Sequence, residues 1–308
     1  MKNNSELIEK FLEAKYAEAG LSENSISAYS RDLKKVCTGI NKPLLSATQT
    51  ELEKYFVNLE KSGHSQSTRA RHLSSIKQFF KFCVESGYVS TDPSSQLSGL
   101  KSPKSLPKTL TMEEVDALLE VAKTHGQTEF QRARNECLME LLYASGMRIS
   151  ELMSLPVSTA RGSPKMILIK GKGSKERLVP VSPPALDALD RWLKLRDKKE
   201  DLSIKAGFKR SNFLFPSNSK NGHLTRNWFF NKIKSWAIEA GVRSENVSPH
   251  TIRHAFATHL LSNGADLRVI QTILGHSDIA TTEIYTHIVN DKLKSTLEEH
   301  HPLSTKSK

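Results

Sequence analysis

Apolar residues recur every three or four positions through the first 87 residues, which is the spacing of helices that bury one face. This pattern predicts four amphipathic helices between residues 5 and 87. Gly20, Gly39, Gly63 and Gly87 fall where these helices are expected to end. The four apolar stripes comprise Leu7, Ile8, Phe11 and Leu12, then Ile26, Tyr29, Leu33 and Val36, then Leu52, Tyr55, Phe56 and Leu59, then Leu73, Ile76, Phe79, Phe80 and Val84.

The helical pattern stops near Ser98 and restarts near Thr111. Residues 98–109 contain two prolines and spaced lysines without a helical period, which predicts a basic linker. Thr111 and Glu114 then have the spacing of a capping box, and a second helix ends at Gly146. We therefore expect an N-terminal helical domain at residues 1–97, a linker at 98–109 and a C-terminal domain at 110–308.

The C-terminal domain contains one convincing pair of strands. Met166–Ile169 and Arg177–Val181 are rich in apolar residues and flank KGKGSKE, whose glycines predict a hairpin turn. Helical patterns follow at Ala185–Leu195, at Trp228–Ile238 and over residues 250–299. The predicted fold class is therefore mainly α, with a small antiparallel sheet in the second domain.

Composition indicates a soluble globular protein of the cytoplasm. The 308 residues are 37% hydrophobic and 25% charged, and no run approaches the ~18 apolar residues that a membrane span needs. The N-terminus mixes acidic and basic residues with apolar ones, unlike a signal peptide. Cys37, Cys83 and Cys137 lie far apart in apolar helical patterns, which favours buried free thiols over disulfides or a zinc site.

The charge balance favours a nucleic-acid partner, although solubility alone also explains a basic surface. The net charge is +12 with a pI near 9.5, and the excess is +5 over residues 1–108 and +7 over residues 109–308. Both domains are therefore expected to touch DNA. The candidate DNA-binding residues are Arg69, Arg71 and Lys77 of the fourth helix and Lys175 and Arg177 of the hairpin, and a solvated basic face is the alternative interpretation.

Six scattered residues suggest chemistry on a phosphate. They are Arg148, Lys172, His250, Arg253, His276 and Tyr285. A guanidinium fork matches two phosphate oxygens and keeps its charge, and a phenol offers an oxygen nucleophile. His250 and Arg253 share a helix face at i and i+3.

A zinc site is the competing interpretation of this helix. His250 and His254 have the i, i+4 spacing of zinc ligands, but Thr251 stands where the glutamate of HExxH would be, and Arg253 would repel the cation. We interpret His254 and His259 as structural and expect no metal.

Four ordered segments resemble the tyrosine recombinases, the phage integrase family. Residues 144–152 (ASGMRISEL) resemble its first arginine box, and residues 171–180 (GKGSKERLVP) its lysine-bearing hairpin. Residues 248–260 (SPHTIRHAFATHL) resemble its His-x-x-Arg box, and residues 274–287 (LGHSDIATTEIYTH) its final box. The likeness runs from about Leu7 to His301 and is strongest to the XerC/XerD recombinases, in particular to the XerD type.

The resemblance implies a role for each of the six residues. Tyr285 would attack the scissile phosphate to form a 3′-phosphotyrosine, while Arg148 and Arg253 would bind the non-bridging oxygens. Lys172 would protonate the departing 5′-oxygen, with Lys170 and Lys175 as rivals for that role. His250 would assist proton transfer, His276 would contact the phosphate or position Tyr285, and Glu151 would orient Arg148.

The resemblance also implies an architecture and partners. It implies a SAM-like core-binding domain and a catalytic domain that form a C-shaped clamp on duplex DNA. The activity would be recombination through a Holliday junction, without metal, ATP or other cofactor. Partners would be a dif-like DNA site, an XerC-like recombinase in a heterotetramer (or further copies in a homotetramer) and the FtsK translocase, with no membrane.

Three other functions share part of these features. A mobile-element integrase would use the same six residues, and a type IB topoisomerase related chemistry without a specific site. A DNA-binding protein without activity would explain the charge but not Tyr285 among five phosphate-handling residues. We also expect a tail helix at Asn290–Glu299 that docks on a neighbouring protomer.

Overall fold

The structure is a computed structural model that describes residues 4–19, 23–97, 109–171, 176–275, 296 and 300–302. The chain divides into two compact units, Met1–Leu106 and Pro107–Lys308, and each is described by itself. Most of the predicted linker, Lys172, Lys175, His276, Tyr285 and most of the predicted tail helix lie outside the described residues. Within them, no helix is both long and apolar enough to cross a membrane.

The N-terminal unit contains the four predicted helices. They are α1 (Asn4–Ala19), α2 (Glu23–Ile40), α3 (Gln49–Lys61) and α4 (Gln66–Glu85). Their apolar stripes meet in one core, in which Leu33, Phe11 and Phe79 are fully buried. Burial of each such side chain contributes about 1.5–3 kcal/mol. The four-helix prediction is confirmed.

Two of the predicted helix ends are confirmed, a third is wrong, and the fourth, Gly20, lies outside the described residues. Gly63 and Gly87 follow α3 and α4 with φ of 74° and 70°, a conformation that L side chains avoid. Gly39 instead lies inside α2, where the absence of a side chain makes room for Tyr55: an added Cβ would come within 2.5 Å of the Tyr55 ring. The left-handed residue that follows α2 is Asn41.

The C-terminal unit is mainly helical. Its elements are α5 (Met112–Thr124), α6 (Glu129–Ser145), α7 (Ile149–Met153), β1 (Met166–Lys170), β2 (Glu176–Pro180), α8 (Pro183–Lys205), α9 (Arg226–Glu239), α10 (Pro249–Ser262) and α11 (Leu267–Leu274). Helix α6 packs against α5, α8 and α10 and lies at the centre of the core. The predicted capping box forms, since the Thr111 and Glu114 side chains each accept a hydrogen bond from the other's backbone N–H.

The two strands form the predicted antiparallel hairpin. Ile169 pairs with Arg177 and Lys170 with Glu176. Ile167 and Ile169 are buried while Leu168 between them is exposed, as the two-residue period of a strand requires. Residues paired directly across an antiparallel sheet lie on the same face, so Arg177 is on the buried face of β2.

Two helical stretches differ in extent from the apolar pattern. Helix α8 continues to Lys205, well beyond Leu195, through helix-favouring charged residues and an i, i+4 ion pair of 2.9 Å between Arg196 and Glu200. The stretch from residue 250 is interrupted at Gly264, whose φ is 93°. It therefore forms the separate helices α10 and α11 within the described residues.

Candidate active site

Arg148 is the N-cap residue of the short helix α7 and comes just after the turn that ends α6. Gly146 allows this turn, with a φ of 56°. The backbone N–H of Arg148 donates to Glu151 Oε2 at 2.7 Å, and its Nη1 donates to Glu151 Oε1 at 3.1 Å. Its side chain is 44% exposed. The guanidinium of Arg148 is thus oriented by one carboxylate and remains open to a ligand.

Glu151 is the carboxylate that links two arginines. Arg177 donates from Nη1 to Glu151 Oε1 at 3.0 Å and from Nη2 to Oε2 at 2.7 Å. Burial alone would raise the pKa of Glu151, but the hydrogen bonds from Arg177 and Arg148 outweigh burial and lower the pKa. Glu151 is therefore ionised and accepts hydrogen bonds from both side chains.

Arg253 is the buried arginine of the site. It lies on α10 and donates from Nη1 to the carbonyl oxygen of Gly146 and from Nη2 to that of Leu274, the latter at 2.5 Å. Burial, together with the smaller effect of the positive charges of Arg148 and Arg177, lowers the pKa of Arg253 to about 10. The guanidinium nevertheless stays protonated at neutral pH. Arg148 and Arg253, which were predicted as a pair, are therefore neighbours in the structure.

His250 lies in the first turn of α10, three residues before Arg253. Ser248 caps this helix, since its Oγ accepts the backbone N–H of Thr251 at 3.1 Å. The His250 side chain is exposed and makes no hydrogen bond or ion pair within the described part of the chain. It is thus available to a ligand on the same side of the helix as Arg253.

The other two histidines of α10 differ in their burial and partners. His259 is buried, with Nδ1 2.9 Å from Tyr143 Oη and Nε2 2.9 Å from the carbonyl oxygen of Leu110. His254 is partly buried. Over the described ranges there is no cluster of His, Cys, Asp or Glu that could hold a metal ion.

The remaining predicted catalytic residues adjoin described elements in sequence. Lys172 follows Gly171 after β1, and His276 follows Gly275, which ends α11 with a φ of 68°. Tyr285 and Lys175 also lie outside the described residues. The structure therefore brings Arg148 close to Arg253 on α10, and the catalytic roles of all six residues stay predictions.

The candidate DNA-binding residues of α4 differ in accessibility. The Arg69 side chain is 12% exposed and forms an ion pair of 2.5 Å with Glu60. Arg71 is 46% exposed, and its Nη2 lies 2.9 Å from the buried carboxylate of Asp32. Lys77 is partly buried and has no ion pair in the described part of its unit. Arg71 is the arginine of this group that combines exposure with a fixed orientation.

The buried position of Arg177 was not predicted from the sequence. It was predicted to bind DNA, yet its side chain is 12% exposed and its three nitrogens donate to Glu151 and to the carbonyl oxygen of Ile273. The signal was present in the strand period, because Arg177 and Val179 are paired across the sheet with Ile169 and Ile167 and so lie on the same buried face.

Family models match both units of the chain. The model of the phage integrase family matches residues 108–292, and that of the phage integrase N-terminal SAM-like domain matches residues 8–87. The chain belongs to the phage integrase family. This membership confirms the resemblance, the SAM-like N-terminal fold and the mainly helical second unit. It also makes the chain a tyrosine recombinase, an enzyme that breaks and rejoins DNA.

Curated members of the phage integrase family are similar over nearly the whole chain. The tyrosine recombinase XerD of Rhizobium meliloti (strain 1021) is 41% identical over 309 residues, covering 98% of this chain and 96% of the relative. XerD of Caulobacter vibrioides is 40% identical over 299 residues, covering 96% of each. The similarity to XerD recombinases that was inferred from the four segments is therefore confirmed.

Solved structures of the family have the same fold. The XerH site-specific recombinase in a post-cleavage complex with a palindromic difH substrate is 25% identical, with a TM-score of 0.69 over 96% of this chain and 84% of that one. A lambda integrase tetramer bound to a Holliday junction has a TM-score of 0.65 at 17% identity, over 92% and 80% of the chains. The second likeness supports the fold alone.

Proposed function

We propose that this recombinase resolves chromosome or plasmid dimers at a dif-like site, through a 3′-phosphotyrosine and a Holliday junction. Full-length similarity to recombinases named XerD supports this proposal, as does the likeness to XerH bound to difH DNA. Its products would be monomeric replicons that can be separated at cell division, by a protein that acts at the nucleoid in the bacterial cytoplasm.

The observation that carries the chemistry is the excess of positive charge at the site. Arg148, Arg177 and Arg253 share Glu151 as their one carboxylate among the described residues. A site with unbalanced guanidinium groups attracts an anion, and a phosphodiester gains negative charge on its oxygens in the transition state. Arg148 and His250 are the exposed groups of the site, and Arg253 is buried.

Each step of the proposed reaction exchanges one phosphate ester for another. The Tyr285 oxygen forms a bond to phosphorus while the bond to the 5′-oxygen breaks, and Lys172 gives that oxygen a proton. His250 assists removal of the phenol proton, and His276 either contacts the phosphate or positions Tyr285. A 5′-hydroxyl from the partner strand then attacks the phosphotyrosine and releases Tyr285. Because the phosphotyrosine retains the energy of the phosphodiester bond, rejoining needs no ATP. The arginines supply the positive charge that a metal ion would otherwise provide.

The proposed assembly is a tetramer on two DNA sites. An XerC-like recombinase is the expected partner, with a homotetramer as the alternative, and FtsK is the expected activator. The tail helix at 290–299 is proposed to couple neighbouring protomers. Beyond this proposed helix, the ring centroids of His301 and Tyr143 lie 5.1 Å apart in the same chain. This packing anchors His301 on the catalytic unit.

A nicked suicide substrate tests the proposed chemistry. The duplex would carry the chromosomal site to which the protein maps by crosslinking and sequencing in its host. We expect wild type to form a covalent protein–DNA adduct in EDTA, detected as a shifted band on a denaturing gel. Tyr285→Phe should bind the duplex equally well and form no adduct. A wild-type protein that binds this site without an adduct would reject the proposed mechanism.

A further inference from the structure

We propose that Arg177 is a positioning residue, which holds Glu151 so that Glu151 in turn aims Arg148 at the scissile phosphate. This inference rests on the proposed function, because it assigns the work of Arg177 to the arginine that binds phosphate. It replaces a direct DNA contact as the role of Arg177.

The hydrogen bonds of Arg177 form a chain that leads to Arg148. Both terminal nitrogens of the Arg177 fork donate to Glu151, at 3.0 and 2.7 Å, so the plane of the carboxylate is fixed. Each oxygen of Glu151 then accepts a second bond, one from Arg148 Nη1 and one from the Arg148 backbone N–H. A rotation of the carboxylate would therefore break bonds to both arginines.

The third nitrogen of Arg177 ties the hairpin to α11. Nε donates to the carbonyl oxygen of Ile273 at 2.9 Å. A Cβ at Gly275 would lie 3.1 Å from Arg177 Cδ and 3.3 Å from Nη1, so the side chain packs directly against the backbone of the last turn. Arg177 thus joins β2 to the end of α11. Lys172 precedes β2 in the sequence, and His276 follows Gly275 at the end of α11.

A direct phosphate contact would require Arg177 to leave these partners. Its side chain is 12% exposed against 44% for Arg148. Departure would also leave the buried carboxylate of Glu151 with one arginine, and an underpaired buried charge is costly. Arg148 is therefore free to meet the DNA, and Arg177 is held in place.

The test separates DNA binding, cleavage and stability. The variants are Arg177→Gln, Arg177→Lys and, as a matched control, Arg196→Lys. Arg196 is a buried arginine of α8, with 2% exposure, and it has no part in the site. It pairs with Glu200 and donates to the carbonyl oxygens of Ser211 and Phe213. Each variant is assayed for its melting temperature, for binding to the mapped site at several salt concentrations and for single-turnover adduct formation at saturating DNA.

A positioning role predicts loss of rate without loss of binding. We expect Arg177→Gln to form adduct roughly 10–100-fold more slowly, as for a misplaced reactive group. The slope of log affinity against log salt should stay unchanged. Arg177→Lys should also be slow, because it keeps the charge but loses the fork. Adding Glu151→Gln to Arg177→Gln should lower the rate of adduct formation little further, because both changes break the same chain of hydrogen bonds.

Three results would overturn the inference. A salt slope reduced by about one charge would show a direct phosphate contact. An adduct rate equal to wild type would show that Arg177 positions nothing. A rate loss matched by Arg196→Lys at the same drop in melting temperature would show a purely structural role. Absence of adduct from wild type is a separate result, because it rejects the proposed function itself and the inference with it.

Discussion

Replacing Gly146 with alanine should disturb both the backbone and the core beside the active site. Gly146 has a φ of 56°, which an L side chain rarely adopts. A Cβ there would overlap the buried ring of Phe256, approaching Cε1 to 2.6 Å, and would lie 3.1 Å from Leu274 Cδ2. Phe256 is fully buried, so the ring cannot move into solvent.

The magnitude follows from two separate costs. A left-handed conformation costs an alanine about 1–2 kcal/mol, and overpacking of a core costs about 1–3 kcal/mol. The free energy of unfolding should therefore fall by about 2–5 kcal/mol. For a unit of this size, the melting temperature should fall by roughly 4–20 °C.

Gly162→Ala is the matched control for the backbone cost. Gly162 has a φ of 80° but nothing within 4 Å of an added Cβ, so only the conformational cost applies. We expect circular dichroism melts and urea titrations to show Gly146→Ala as less stable than Gly162→Ala by about 1–3 kcal/mol. If the two variants lose equal stability, the steric argument is wrong.

Two further predictions concern charge. Burial and the neighbouring charge of Glu136 raise the pKa of Glu140 to about 7, so Glu140 destabilises the fold as the pH rises from about 4.5 through 7. Glu140→Gln should therefore melt at a higher temperature than wild type at pH 8, and this gap should close by pH 4.5; a constant gap would contradict the assigned titration. On α4, Arg71→Ala should reduce the salt slope of DNA binding, measured by fluorescence anisotropy, by about one charge, whereas Arg69→Ala should not. Equal slopes for the two variants would show that exposure does not select the phosphate contact.

The helices and the hairpin were predictable because their signals are local. The capping box of Thr111 and Glu114 and the glycines after α3 and α4 act within one turn of chain. The role of Gly39 was not predictable in this way. Gly39 makes room on α2 for the ring of Tyr55 from α3, and the spacing of residues in the sequence does not reveal that contact.

The residues of the candidate site were more predictable from the sequence than the hydrogen bonds that hold them in place. Arg148, His250 and Arg253 were predicted to handle phosphate from residue type and order, and this role stays a prediction. Arg253 was predicted to bind phosphate, but its bonds to the carbonyl oxygens of Gly146 and Leu274 join segments that are distant in sequence. Such bonds depend on tertiary packing, so only the structure shows them. For Arg177, the strand period indicated the buried face, but the lysine-rich surroundings favoured a surface role.

The contrast between Arg148 and Arg253 determines which inactive variant is useful in a living cell. Arg253 joins three segments of backbone, so its substitution should lower the amount of folded protein through proteolysis. Within the described residues, Arg148 makes no such bonds to distant backbone. A chain altered at Arg148 should persist at normal abundance, enter mixed assemblies with active subunits and act as a dominant inhibitor. A chain altered at Arg253 should resemble a gene deletion and be recessive.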